Sequence, residues 1–151
     1  MKIIIAGAGE VGYHLASMLA DEEQDIYLVD RNEDRLNYIQ SKIDVFTIRG
    51  DAKSISVLQE AKVKECDLLI AVTSNEETNF LISVLGKKLG AKRTIARFTN
   101  SEIIDFGKKQ IFEEIGIDEV ISPVELASKK LTGSFSILNK KKLRTCNGAH
   151  P

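Results

Sequence analysis

Residues 7–12 read Gly7-Ala8-Gly9-Glu10-Val11-Gly12, and they stand between two segments of different periodicity. Before them, Met1-Lys2-Ile3-Ile4-Ile5-Ala6 is a short β-branched run of the kind that forms a buried strand. After them, Leu15, Met18 and Leu19 continue an apolar face begun by Val11 at helical spacing. G-x-G-x-x-G in that position marks a strand–turn–helix junction. Its glycines have separate tasks: Gly7 permits a tight turn out of the strand, and Gly12 lets the new helix pack close to the sheet. Gly9 has no Cβ, so a pyrophosphate can approach the backbone. The unpaired N–H groups that open the helix lie at the positive end of its dipole, which favours phosphate.

A second anchor follows. Asp25-Ile26-Tyr27-Leu28-Val29 reads as strand two, with Asp30 at its end. Asp30 stands roughly 20 residues beyond the first glycine, the spacing of an acid that binds ribose hydroxyls. Its carboxylate would accept from a 2′-OH and repel a 2′-phosphate, which predicts NAD(H) or an adenosine nucleotide over NADP(H). Arg31 complicates the choice, because a guanidinium can serve a 2′-phosphate or stack on adenine. A plainer role is open to Asp30 as cap of the next helix, although Asn32 could fill it.

The rest of the chain alternates between the two periods. A helix is expected over 32–42 with Leu36 and Ile39 inward, and a third strand at Val45-Phe46-Thr47-Ile48. Asp51 is expected to start a helix with Ile55, Leu58 and Ala61 on one side. Asp67-Leu68-Leu69-Ile70-Ala71-Val72 is almost continuously apolar, as a central parallel strand covered on both faces should be. The next helix is expected to run through Phe80, Leu81, Val84, Leu85 and Leu89 to a stop at Gly90. Strand five is Thr94-Ile95-Ala96-Arg97-Phe98, a single helix lies within 101–115, and Val120-Ile121 is strand six. Ser122, Pro123 and Glu125 then form a capping box with proline at the first helical position, opening a helix to about Leu131. Six alternations predict a Rossmann-type α/β fold, a doubly wound parallel six-stranded sheet of order 3-2-1-4-5-6. Ligand belongs at the carboxyl edge, where the order reverses between strands one and four. Residues 7–12, Asp30, Asp51, Thr73, Ser74 and Arg97 all fall at that edge.

Several of these residues have two readings. Asp51 is a ribose or adenine contact, or a helix cap. Thr73 and Ser74 hydrogen-bond a ligand's ribose or phosphate, or cap the following helix. Arg97, in an otherwise apolar strand, is costly to bury unpaired. It reaches a phosphate or a charge on another subunit, or it pairs with an acid such as Asp51.

Other chemistry is not in evidence in the sequence. The only histidines are His14, expected on a helix surface, and His150. Cys66 and Cys146 have no metal or redox spacing, and Cys66 reads as a small buried residue. There is no nucleophile elbow and no Walker lysine motif. No apolar run approaches the ~20 residues needed to cross a bilayer, and the N-terminus does not read as a signal peptide. These features suit a cytoplasmic protein. The last twenty residues carry Lys140, Lys141, Lys142 and Arg144 and no acid. The body, with all 22 acids and 17 of the 21 basic residues, is therefore net −5. That balance argues against nucleic acid as the main partner. The expected division is a nucleotide-binding domain over 1–131 and a basic tail over 132–151, whether packed, solvated or a remnant of truncation.

Taken together, the segments from Ile4 to Gly12, Leu28-Val29-Asp30, Gly50-Asp51-Ala52, Asp67 to Thr73 and Ile95-Ala96-Arg97 resemble one family. It is the N-terminal nucleotide-binding (KTN or RCK) domain of TrkA, the regulatory subunit of Trk potassium uptake systems. The resemblance covers about residues 1–131. It implies that Gly7, Ala8, Gly9, Glu10 and Val11 hold a pyrophosphate, that Asp30 holds the adenosine ribose, and that Thr73 and Ser74 touch ligand. Arg97 stands where a basic residue approaches the phosphates. It implies NAD(H), or alternatively ATP or ADP, as ligand, and a regulator rather than an enzyme. The implied partners are a membrane potassium transporter and further copies of the chain, in dimers within larger rings. The implied location is cytoplasmic, peripheral to the inner face of the membrane. Residues 132–151 do not resemble the start of the C-terminal domain usual in such proteins, so the expectation is an excised domain or a short homologue. The rival reading is the cofactor-binding half of an NAD-dependent oxidoreductase.

Overall fold

Strand β1 (Lys2–Ala6) lies between two parallel neighbours, β2 (Asp25–Asp30) and β4 (Leu68–Ala71). With β3 (Phe46–Arg49), β5 (Thr94–Arg97) and β6 (Glu119–Ile121) the sheet has the order 3-2-1-4-5-6, all parallel, as the alternation predicts. The computed structural model describes residues 1–20, 23–108 and 110–127. All four residues of β4 are buried, as are Ile3 to Ala6 of β1, so the continuous apolar runs do face helices on both sides. Helices α1 (Glu10–Ala20), α2 (Glu33–Lys42) and α3 (Ile55–Glu60) follow the first three strands. Then come α4 (Glu76–Lys88), α5 (Ser101–Gly107) and α6 (Ile111–Ile115). Among the described residues no helix is long and apolar enough to cross a membrane.

Four local expectations are corrected. First, the inward face of α4 is Asn79, Ile82, Ser83 and Gly86, while Phe80 and Leu81 are exposed at 37% and 41%. The strand beneath explains this. A Cβ on Gly86 would overlap Cδ2 of Leu69, so α4 approaches β4 too closely at that point for any side chain. Val84, Leu85 and Leu89 flank that stripe half-buried. Second, the single helix expected over 101–115 is two. The Phe112 ring lies against Gly107, where a Cβ would come within 2.8 Å of it. Phe106 meets the same ring edge-on at 5.4 Å between centroids. The chain turns there to bury Phe112. Third, α3 starts at Ile55 rather than at Asp51, with Ser54 as N-cap. Ile55 is 49% exposed, and only Leu58 and Ala61 of the expected face are buried. Fourth, the buried face of α1 is Gly12, Leu15, Ala16 and Leu19, with Val11 and Met18 half-buried at its margin.

Other expectations hold. Asn32 caps α2, its Oδ1 accepting from Arg35 N–H at 3.1 Å, with Leu36 and Ile39 buried. Gly90 and Gly116 follow the ends of α4 and α6. His14 is exposed. Cys66 is buried, and burial pushes its thiol from 9.0 up to about 11.

These strands belong to a unit spanning Met1–Ile121. A second unit begins at Ser122, and its described part is helix α7 (Pro123–Ala127). Its capping box forms as expected: Glu125 N–H donates to Ser122 Oγ (3.2 Å) and Ser122 N–H to Glu125 Oε2 (3.4 Å). The expected end of that helix, the basic tail, Cys146 and His150 lie outside the described residues.

Candidate functional site

Backbone bonds join the strand ends into one edge. Gly7 N–H donates to Val29 O, Val72 N–H to Ala6 O and Gly50 N–H to Asp30 O, each at 2.9 Å. The loops after β1, β2, β3 and β4 therefore leave the sheet side by side. Between them lies an open cleft of about 380 Å³.

The glycine turn forms one wall. Gly7 has φ +119°, and a Cβ there would stand 2.9 Å from the Val72 carbonyl oxygen. A Cβ on Gly12 would overlap the Gly7 carbonyl oxygen. Both positions are closed by the fold itself. Gly9 differs: a Cβ there meets nothing within 4 Å. The space above Gly9 is free, beside the first N–H groups of α1, which lack intrahelical acceptors. That is the space a diphosphate group needs, and this cradle fits one.

Asp30 joins the turn to the next strand. Its Oδ2 accepts from Ala8 N–H at 2.7 Å and its Oδ1 from Asn32 N–H at 2.8 Å. Each carboxylate oxygen has a further lone pair. Asp30 therefore braces the glycine turn and still lines the cleft. Capping of α2 falls to Asn32.

Of the ten candidates from sequence, Gly7, Gly9, Asp30, Asp51, Thr73 and Ser74 line this cleft. Ala8 and Glu10 border an adjoining depression, beside the Tyr13 and Tyr38 rings. Val11 and Arg97 line neither. Asp51 caps no helix. Its Oδ1 accepts from Lys53 N–H at 2.9 Å, closing an Asx turn, and its Oδ2 lies 3.8 Å from Lys53 Nζ. The Arg97–Asp51 pair is not formed. Arg97 Nη1 donates to the Thr73 carbonyl at 3.0 Å, and its Nε is buried without a hydrogen-bond partner.

Three side chains were missed in sequence. Arg35 and Lys53 line the cleft with Arg31, so cations gather at its Asp30–Asp51 end. Arg35 stands in the first turn of α2, four residues after Arg31, which precedes the helix. The third is Asn79, 1% exposed at the start of α4. Its Oδ1 accepts from Thr73 N–H (2.9 Å) and from Thr73 Oγ1 (2.6 Å). Its Nδ2 donates to Thr73 O (3.1 Å) and Arg97 O (2.9 Å). One amide thus ties the ends of β4 and β5. Nothing in the sequence marked it apart from other polar residues near that helix start. Beside it, Glu76 Oε2 accepts from Thr99 Oγ1 (2.7 Å), Thr99 N–H (2.8 Å) and Asn100 N–H (3.2 Å). The Thr99 bonds, with help from the Arg97 charge, hold its carboxyl below the usual range.

Comparison with known proteins agrees with this architecture. The family model described as the TrkA-N domain matches residues 3–123. The chain is 42% identical over 125 residues to the Trk system potassium uptake protein TrkA homolog of Archaeoglobus fulgidus, covering 82% of this chain and 28% of that protein. It is 41% identical over 135 residues to the Trk system potassium uptake protein TrkA of Haemophilus influenzae, covering 87% and 29%. The chain thus spans under a third of the length of these two relatives. Among solved structures, the TrkA-N domain of the inner membrane protein ybaL from Escherichia coli superposes with TM-score 0.71 at 16% identity, covering 87% of this chain and 94% of that one. The GsuK channel bound to NAD superposes with TM-score 0.67 at 18% identity, covering 80% and 21%. At these identities the two structures show a shared fold.

Proposed function

Since the chain belongs to the TrkA-N domain family, we propose that it is the nucleotide-binding regulatory part of a Trk-type potassium uptake system. The observation that carries this reading is the open space above Gly9, next to the Asp30 carboxylate, in one cleft at the switch point of the sheet. A dinucleotide of the NAD(H) type suits it. The Gly9 turn and the start of α1 would take the diphosphate, and Asp30 an adenosine ribose. Arg31, Arg35 and Lys53 line the same cleft and would offset the Asp30 and Asp51 carboxylates beside the adenosine. ATP or ADP is the alternative ligand, sharing the adenosine and phosphate contacts. The NAD-bound GsuK channel, of like fold, supports the first choice.

The chain acts as a sensor in this reading, not as a catalyst. Its sequence relatives are named for potassium uptake. The partners are a membrane potassium transporter and further copies of the chain, at the inner face of the membrane. A nucleotide would control the transporter only through its difference in affinity between two assembly states.

Calorimetric titration of the chain with NAD, NADH, ADP, ATP and NADPH tests this. Binding of at least one adenosine nucleotide is expected, with NADPH weakest because Asp30 repels a 2′-phosphate. Absence of binding by all five refutes the proposal. Light scattering with and without the bound nucleotide then tests whether assembly responds to it.

A further inference from the structure

The bonds around Asn79 determine what kind of atom the β4 end of the cleft can recognise. Asn79 has one orientation. Its Nδ2 faces two carbonyl oxygens and its Oδ1 faces an N–H, so a flip would lose all three of these bonds. An amide oxygen only accepts, so the Thr73 hydroxyl at 2.6 Å must donate to it. The hydroxyl's other oxygen neighbour, Asn75 O at 3.1 Å, is also an acceptor, and Asn75 N–H donates inward at 3.3 Å. The Thr73 proton is therefore spent inside the protein. Its backbone N–H is spent on Asn79 as well. Thr73 lines the cleft, so a ligand group that reaches its hydroxyl meets no proton and only the lone pair that Asn75 N–H leaves.

The charges nearby point the same way. The first turn of α4 carries Glu76 and Glu77. Arg97 points its Nη1 to the Thr73 carbonyl and does not line the cleft. Arg31, Arg35 and Lys53 line the cleft together with Asp30 and Asp51. Ser74 is exposed, and its hydroxyl can rotate to donate or accept, so it does not select.

We propose that Asn79, by holding the Thr73 hydroxyl as an acceptor, makes the β4 end of the cleft select a ligand bearing hydroxyl or amide donors there. A second nucleoside or a free sugar meets that demand. A terminal phosphate, itself an acceptor, does not. Thr73 is the specificity-determining contact and Asn79 the positioning residue behind it. The inference rests on the nucleotide reading above and refines it toward dinucleotides and ADP-ribose over ATP.

The test is titration of the unaltered chain, Thr73→Val and Thr73→Ser with ADP-ribose, ADP and ATP. The unaltered chain should bind ADP-ribose more tightly than ATP. Thr73→Val should weaken ADP-ribose about five-fold, the scale of one lost neutral hydrogen bond. It should leave ADP and ATP within two-fold, and Thr73→Ser should restore the preference. A purely structural role would shift all three ligands together, and that result overturns the inference. ATP binding the unaltered chain more tightly than ADP-ribose also overturns it, whether or not Thr73→Val folds. Absence of binding by all three ligands overturns this inference, and if NAD, NADH and NADPH also fail to bind the nucleotide reading falls with it.

Discussion

The three glycines of one motif should fail in different ways, and Gly9 is the informative one. Gly9→Ala adds a Cβ into space where no atom lies within 4 Å. Its φ is not among the positive values, so alanine fits the backbone. Two effects on stability oppose each other. Alanine restricts the unfolded chain, which stabilises by about 0.4–1 kcal/mol. Gly9 also precedes α1 and its carbonyl accepts from Tyr13 N–H at 2.9 Å, as an N-cap residue does. Alanine is a poorer N-cap than glycine, at a cost of roughly 0.5–1 kcal/mol. The net change should lie within about 1 kcal/mol of zero. Binding should respond differently, because the new methyl stands where the diphosphate would touch the backbone. Inserting a methyl into a packed contact costs roughly 1–3 kcal/mol, so affinity for NAD and ADP should fall about 5- to 150-fold. Gly7→Ala should instead destabilise the fold by ~3 kcal/mol, from a left-handed φ of +119° and the close Val72 oxygen. Gly12→Ala should do so at least as strongly, since its Cβ overlaps the Gly7 carbonyl. Urea unfolding gives the stabilities and calorimetry the affinities. A stable Gly9→Ala that binds NAD within two-fold of the unaltered chain would refute the placement of phosphate over Gly9.

Further expectations follow from the same geometry. Asn79→Ala removes the Asn79 partner of the buried Thr73 N–H and of Arg97 O, while Thr73 O keeps its bond from Arg97 Nη1. It should cost ~3 kcal/mol in urea unfolding, and a loss below about 1 kcal/mol would show those groups are satisfied otherwise. Cys66 should resist thiol reagents at pH 8 in the folded chain and react freely in urea. Its folded pKa is raised from 9.0 to about 11, so the unfolded thiol loses its proton first. Its contribution to stability is full below pH 9.0 and falls as pH rises toward about 11, and Cys66→Ala should flatten that part of the profile. Glu76 is the opposite case, an acid whose folded pKa is depressed below 4.5 by its bonds from Thr99. Its stabilisation is present above pH 4.5 and lost as pH falls through the folded value. Glu76→Gln should reduce the dependence of melting temperature on pH below 5, and an unchanged profile would mean the Thr99 contact is not held in solution.

What the sequence alone decided was the order of elements and the edge at which they meet. Strands and helices differ in period, and right-handed crossovers leave one economical way to arrange six alternations. The same logic located Gly7, Gly9, Asp30, Asp51, Thr73 and Ser74 on one cleft, because the ends of parallel strands share one edge. The tertiary structure decided which face of each helix turned inward. On α4, apolar content favoured Phe80 and Leu81, yet the buried face is Asn79, Ile82, Ser83 and Gly86, and Leu69 closes the space at Gly86 to any Cβ. That choice brought Asn79 against Thr73 and Arg97, drew Arg97 toward a carbonyl, and fixed the direction of the Thr73 proton. Arg35 entered the cleft from the first turn of α2 and Lys53 from the loop after β3. Periodicity records how often a residue can face the core, but the shape of the opposing strand selects which one does, because the interior is close-packed.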